Sequence, residues 1–116
     1  MSDVSQWEQE LNKMILEGQP LEAFEKFYAD DLVMQENREP VRVGKETNRK
    51  LDEEFFASIQ DFHGATLGDV AVQGDVYFSE WTFDCTFKDG RRVATPQVTR
   101  RKWRDGKVVN ERFYHA

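Results

Sequence analysis

The sequence has little cysteine, histidine or proline: one, two and three residues respectively in a chain of 116. A single thiol, Cys85, cannot close an internal disulfide and reads as a small buried hydrophobe. His63 and His115 lie far apart without metal-ligand spacing, so no structural metal site is expected, and no cofactor. Long apolar runs are missing too. None approaches a membrane span or a signal-peptide core, which makes the cytoplasm the default location. Positive charge is in deficit, with 16 Lys and Arg against 22 Asp and Glu, a formal net charge of −6. That balance opposes the electrostatic term of nucleic-acid binding and repels anionic membrane surfaces, so neither partner is expected.

Aromatic residues are what the chain does have. Hydrophobic residues make up only 39%, yet nine Phe, three Trp and three Tyr concentrate a large apolar area in few positions. The length suits one domain, residues 1–116, with a single core or a lined cavity. In VSQWEQELNKMILEG, Trp7, Leu11, Met14 and Ile15 fall at helical spacing before Gly18. Pro20 opens a second short helix with Leu21, Phe24, Phe27 and Tyr28 on one face. LVMQE reads as a short strand, and GKETNRKLDEEFFASI as a third helix burying Leu51, Phe55, Phe56 and Ile59. After Phe62 the period changes to two. Four strand-like runs follow, punctuated by Gly74-Asp75, Asp89-Gly90 and Asp105-Gly106, so an α+β domain with an antiparallel meander is predicted.

Alternation divides each strand into two faces. Tyr77, Ser79, Trp81, Phe83, Cys85 and Phe87 share one, and Trp103 marks Gln97, Thr99 and Arg101 as the inner set of the next strand. If the last turn uses three loop residues, Trp103, Arg101, Thr99 and Gln97 oppose Val109, Glu111, Phe113 and His115. A two-residue loop would shift the register by one and turn Glu111 and His115 outward. The first register gives an inner face too polar for a dry core, which points to a cavity or a wet groove.

The order helix, helix, FYADDLVMQE, charged loop, GKE, helix and long meander ending in KVVNERFY resembles the NTF2-like superfamily, and within it the small SnoaL-like bacterial proteins, from about Val4 to His115. The resemblance implies a cone in which three helices pack on a curved antiparallel sheet, a pocket between them, and a homodimer formed through the sheet. Relatives of this kind include ketosteroid isomerases, polyketide cyclases, limonene epoxide hydrolase, dehydratases and binding domains. Glu36 stands where the steroid isomerases carry their Asp base, whereas Asn12 and Thr99 stand where those enzymes carry their oxyanion donors. Steroid isomerisation is therefore not expected, because a base without those donors lacks the larger electrostatic contribution. Arg101 and Glu111 supply two groups of the Asp-Arg-Asp arrangement of the epoxide hydrolase, and Glu36 or Glu111 with His115 resembles the acid-histidine pairing of the cyclases.

Glu36 and His115 are thus the candidate catalytic residues, with Tyr28, Trp81, Phe83, Gln97, Thr99, Arg101, Glu111 and Phe113 as ligand-binding candidates. Arg101 and Glu111 also suit a structural ion pair, and an aromatic wall suits a planar apolar ligand. Two function classes follow. One is a dimeric domain that binds a small, mostly apolar molecule; the other is an acid/base enzyme acting on such a molecule by isomerisation, cyclisation, dehydration or hydrolysis.

Overall fold

The computed structural model describes residues 2–116. Three helices precede or interrupt a six-stranded sheet: α1 (Ser2–Leu16), α2 (Pro20–Phe27), β1 (Tyr28–Glu36), β2 (Arg42–Val43), α3 (Lys45–Ala57), β3 (Ile59–Gln73), β4 (Val76–Phe87), β5 (Arg92–Arg104) and β6 (Lys107–His115). The α+β architecture is the one the sequence predicts. Among the described residues no helix is long and apolar enough to cross a membrane.

Helix α1 carries its apolar stripe onto the sheet, burying Leu11 completely and stacking Trp7 on Trp103 with ring centroids 6.2 Å apart. Pro20 sits in the first turn of α2, where a missing N–H leaves no helical bond unmade, and the helix buries Ala23, Phe24 and Phe27. Phe27 meets Trp103 edge-on at 5.6 Å, so two helices and β5 converge on one indole. Tyr28 belongs to the strand that follows, not to the helix, and its extended backbone (φ −96°, ψ 136°) ends α2 without a loop.

The strand order is β2-β1-β6-β5-β4-β3. Strands β3 to β6 form the expected antiparallel meander, but β1 runs parallel to β6, so the sheet is mixed and not antiparallel throughout. β1 leaves α2 directly and is laid beside the last strand of the chain, a non-local pairing that local patterning does not encode. β3 starts at Ile59, earlier than the change of period after Phe62 suggests, and three register shifts along it bend the strand.

The last hairpin corrects the expected turn. Asp105 and Gly106 both have positive φ (52° and 78°) and form a two-residue connection, with Arg104 opposite Lys107. Trp103 consequently faces Val108 and not Val109. A bulge between Lys102 and Trp103 then absorbs one residue, and the pairs Arg101–Glu111, Thr99–Phe113 and Gln97–His115 are restored. Glycine suits position 106 through its left-handed backbone, and it packs beside the Trp7 ring, where a Cβ would stand at ordinary contact distance, 3.5 Å.

Helix α3 departs most from expectation. Asn48 is its buried residue, held through its side-chain amide to the Arg42 and Gly44 carbonyls, whereas Leu51 and Phe55 remain 36% and 50% exposed. Its apolar face is turned inward and meets the sheet at one end, where Phe55 packs edge-on against Phe87 with ring centroids 5.8 Å apart.

Candidate functional site

The gap left by α3 is a cavity of about 590 Å³ between the helices and the inner face of the sheet. Its apolar lining comes from every layer, with Phe24 from α2, Leu51, Phe55 and Phe56 from α3, and Trp81, Phe83 and Phe113 from the sheet. Trp81 and Phe83 lie two residues apart on β4 and therefore share a face, where their rings stack nearly parallel, 5.4 Å apart at 6°. Ser79 accepts the Trp81 indole N–H at 3.0 Å and fixes that ring.

The polar floor is built around Arg101. This side chain is buried, and its Nε donates to Glu111 Oε2 at 2.7 Å while Nη1 donates to Glu8 Oε2 at 2.8 Å and to Asn12 Oδ1 at 3.0 Å. Glu8 and Asn12 stand one turn apart on α1, so one helix face offers both acceptors to one guanidinium. Glu8 Oε1 accepts the Trp103 indole N–H at 2.8 Å, and the Tyr28 hydroxyl donates to Glu111 Oε2. Burial, reinforced by the charge of Glu111, pushes the Tyr28 hydroxyl well above its ordinary range, which keeps it a neutral donor. A buried charge is tolerable only when it is paired and hydrogen-bonded, and this network pairs Arg101 with groups from one helix and three strands.

Asp52 lines the same cavity from α3. Burial first, then the charges of Glu111 and Glu36, raise its carboxyl to about 7 against the opposing pull of Arg42. Glu36, at the end of β1, lines the cavity and hydrogen-bonds the His115 ring through Nε2 at 2.9 Å. That bond, together with the Ala116 carbonyl, raises the His115 imidazole above its ordinary value.

Of the residues singled out from sequence, Tyr28, Glu36, Trp81, Phe83, Gln97, Thr99, Arg101, Glu111 and Phe113 all border the cavity. His115 does not: it lies at the sheet end, near the surface, and touches the cavity only through Glu36. Sequence reasoning missed Glu8, Asp52 and Arg42. Asp52 sits four residues after buried Asn48 and three or four before Phe55 and Phe56, a carboxylate inside an apolar helical stripe, and that interruption was the available signal.

Comparison with known proteins agrees with this architecture. The SnoaL-like domain family matches residues 9–111. A SnoaL-like protein of Mesorhizobium loti with a proposed polyketide cyclase assignment is 29% identical, with 96% of this chain and 97% of that one aligned at a TM-score of 0.84. TerC, co-crystallised with polyporic acid, is 12% identical over 98% of this chain and 92% of its own, with a TM-score of 0.80. A ketosteroid isomerase-like protein of Catenulispora acidiphila, in complex with trimethylamine, is 17% identical over 83% and 75%, with a TM-score of 0.71. No curated protein matches the sequence.

Proposed function

We propose, from the premise that this chain belongs to the SnoaL-like domain family, that it binds a small, mostly apolar organic molecule in the cavity between α3 and the sheet. The observation that carries this reading is an aromatic-walled space of about 590 Å³ whose polar groups gather around Arg101, Glu111 and Tyr28. Such a space takes a flat apolar body and orients it by one polar end. Relatives of the same fold carry molecules as different as polyporic acid and trimethylamine, which supports a ligand site and leaves its chemistry to this chain's own residues. Calorimetric titration with bicyclic aromatic molecules tests it. Trp81→Ala and Phe83→Ala should weaken binding at least about tenfold, and binding unchanged by both would move the ligand elsewhere.

A second reading, an acid/base enzyme acting on the same kind of molecule, is favoured by the Asp52 carboxyl, raised to about 7, where a group gives and takes protons with equal ease. Glu36 is then the base at the family position. Glu36→Gln should lower any turnover by roughly 10²–10⁴ while leaving the fold intact, and an unchanged rate would remove Glu36 from the chemistry. In both readings residues 1–116 act as one cytoplasmic domain. It pairs with a second copy through the outer sheet face of Phe78, Thr82 and Val98, and static light scattering tests that pairing.

A further inference from the structure

We propose that Asp52, as a carboxylic acid, donates a hydrogen bond to the bound ligand, so that the cavity selects an uncharged molecule whose polar end is a hydrogen-bond acceptor. The inference rests on the binding reading above and specifies what is bound. Two donors facing one space carry it. Arg101 uses Nε and Nη1 on Glu111, Glu8 and Asn12, whereas Nη2 hydrogen-bonds none of the described residues. That nitrogen is also not a sealed, unsatisfied atom, so it keeps contact with open space, and Arg101 lines the cavity. An N–H on a side chain only 3% exposed calls for an acceptor. Asp52 approaches the same space from α3, the wall that the sheet does not provide.

Charge then decides among acceptors. The ionisable groups that line the cavity with Asp52 are Glu111 on β6, Glu36 and Tyr28 on β1, Arg42 on β2, Arg101 on β5 and Glu22 on α2. A carboxylate ligand would bring a second negative charge into the space that Glu111 and Glu36 already share. An ammonium ligand carries donors only, and cannot satisfy the free N–H of Arg101. A neutral carbonyl or ether oxygen accepts from both Arg101 and Asp52. Filling the cavity also removes water from Asp52, which burial already holds near neutrality, and the acid form is favoured further.

Three probes of nearly one shape separate the possibilities: 2-acetylnaphthalene, 2-naphthoate and 2-naphthylmethylammonium, titrated calorimetrically against the intact protein. At about pH 5.5 the ketone should bind at least about tenfold more tightly than either charged analogue, the scale of one satisfied against one unsatisfied buried hydrogen bond. Above the Asp52 midpoint its affinity should fall by up to about tenfold per pH unit, with proton uptake on binding, because only the acid form of Asp52 donates. Asp52→Asn should keep the ketone and flatten its pH dependence, since an amide donates without titrating; Asp52→Leu should weaken it at every pH. The Asn variant also separates Asp52 from His115, whose titration it leaves in place. The inference is overturned if a charged probe binds as tightly as the ketone, or if the pH dependence survives in the Asn variant. Should none of the three bind, the binding reading falls together with it.

Discussion

Arg101 and His115 each meet a glutamate across neighbouring strands, at 2.7 Å and 2.9 Å, yet the two pairs do different work. Both side chains of the Arg101–Glu111 pair are 3% exposed, and the pair is tied into α1 through Glu8 and Asn12. Those of the Glu36–His115 pair are each 32% exposed, and beyond each other the imidazole meets only the terminal backbone. Distance alone would rank them together. Desolvation separates them, because water competes for the second pair and has no access to most of the first. The inner pair therefore fixes where α1 sits on the sheet, and the outer pair adjusts a single carboxylate at the cavity's edge.

Removing the inner cation should have the largest effect. Arg101→Met leaves Glu8 and Glu111 buried without their partner, and urea unfolding should show a loss of about 3–5 kcal/mol. A loss below about 1 kcal/mol would mean that the floor is wetter than its geometry indicates.

Next comes Asp52. Its carboxyl is held at about 7, above the ordinary 3.8, so the folded state binds a proton that the unfolded chain has released between those values. Stability should accordingly fall as pH rises through that window. Asp52→Asn should stabilise the protein at about pH 8, on the order of 1–3 kcal/mol, and have little effect near pH 4. Equal effects at both pH values would contradict the assigned shift.

The outer pair should respond least. The His115 imidazole is raised above 6.5, so its contribution is present below about pH 6.5 and is lost as pH rises through the folded value. His115→Gln should cost less than about 1 kcal/mol at acidic pH and nothing measurable in alkali. Phe55→Ser sharpens the same contrast on the apolar side: half-exposed Phe55 should contribute under about 1 kcal/mol to folding, while its loss weakens aromatic ligands, as titration would show.

Much of this was legible because strands alternate. Parity along β4 and β5 placed Trp81, Phe83, Gln97, Thr99 and Arg101 on one face, whereas the pair Arg101–Glu111, expected from a three-residue turn, is reached through a two-residue turn and a bulge. What was hidden depends on contacts between distant segments. Glu8 looks like any charge on an amphipathic helix until Arg101 and Trp103 arrive from the far end of the chain. The parallel pairing of β1 with β6 has no local pattern at all. Asp52 was lost beside Glu53 and Glu54, which follow it on α3, since composition does not say which carboxylate turns inward.

The bulge beside Trp103 makes the final hairpin a counting device. With a two-residue turn and uniform pairing, Arg100 would oppose Glu111, both on the outer face, and the buried floor would have a cation without its glutamate. The extra residue, Val109, is what returns Glu111 to the inside. Deleting Val109 should therefore leave every pair from Lys102–Asn110 to Gln97–His115 in place and only flatten the bulge, whereas inserting one residue after Asn110 should turn Glu111 and Phe113 outward. A change of length in this strand is tolerable only where the bulge takes it up, and beyond Asn110 it reaches the buried floor.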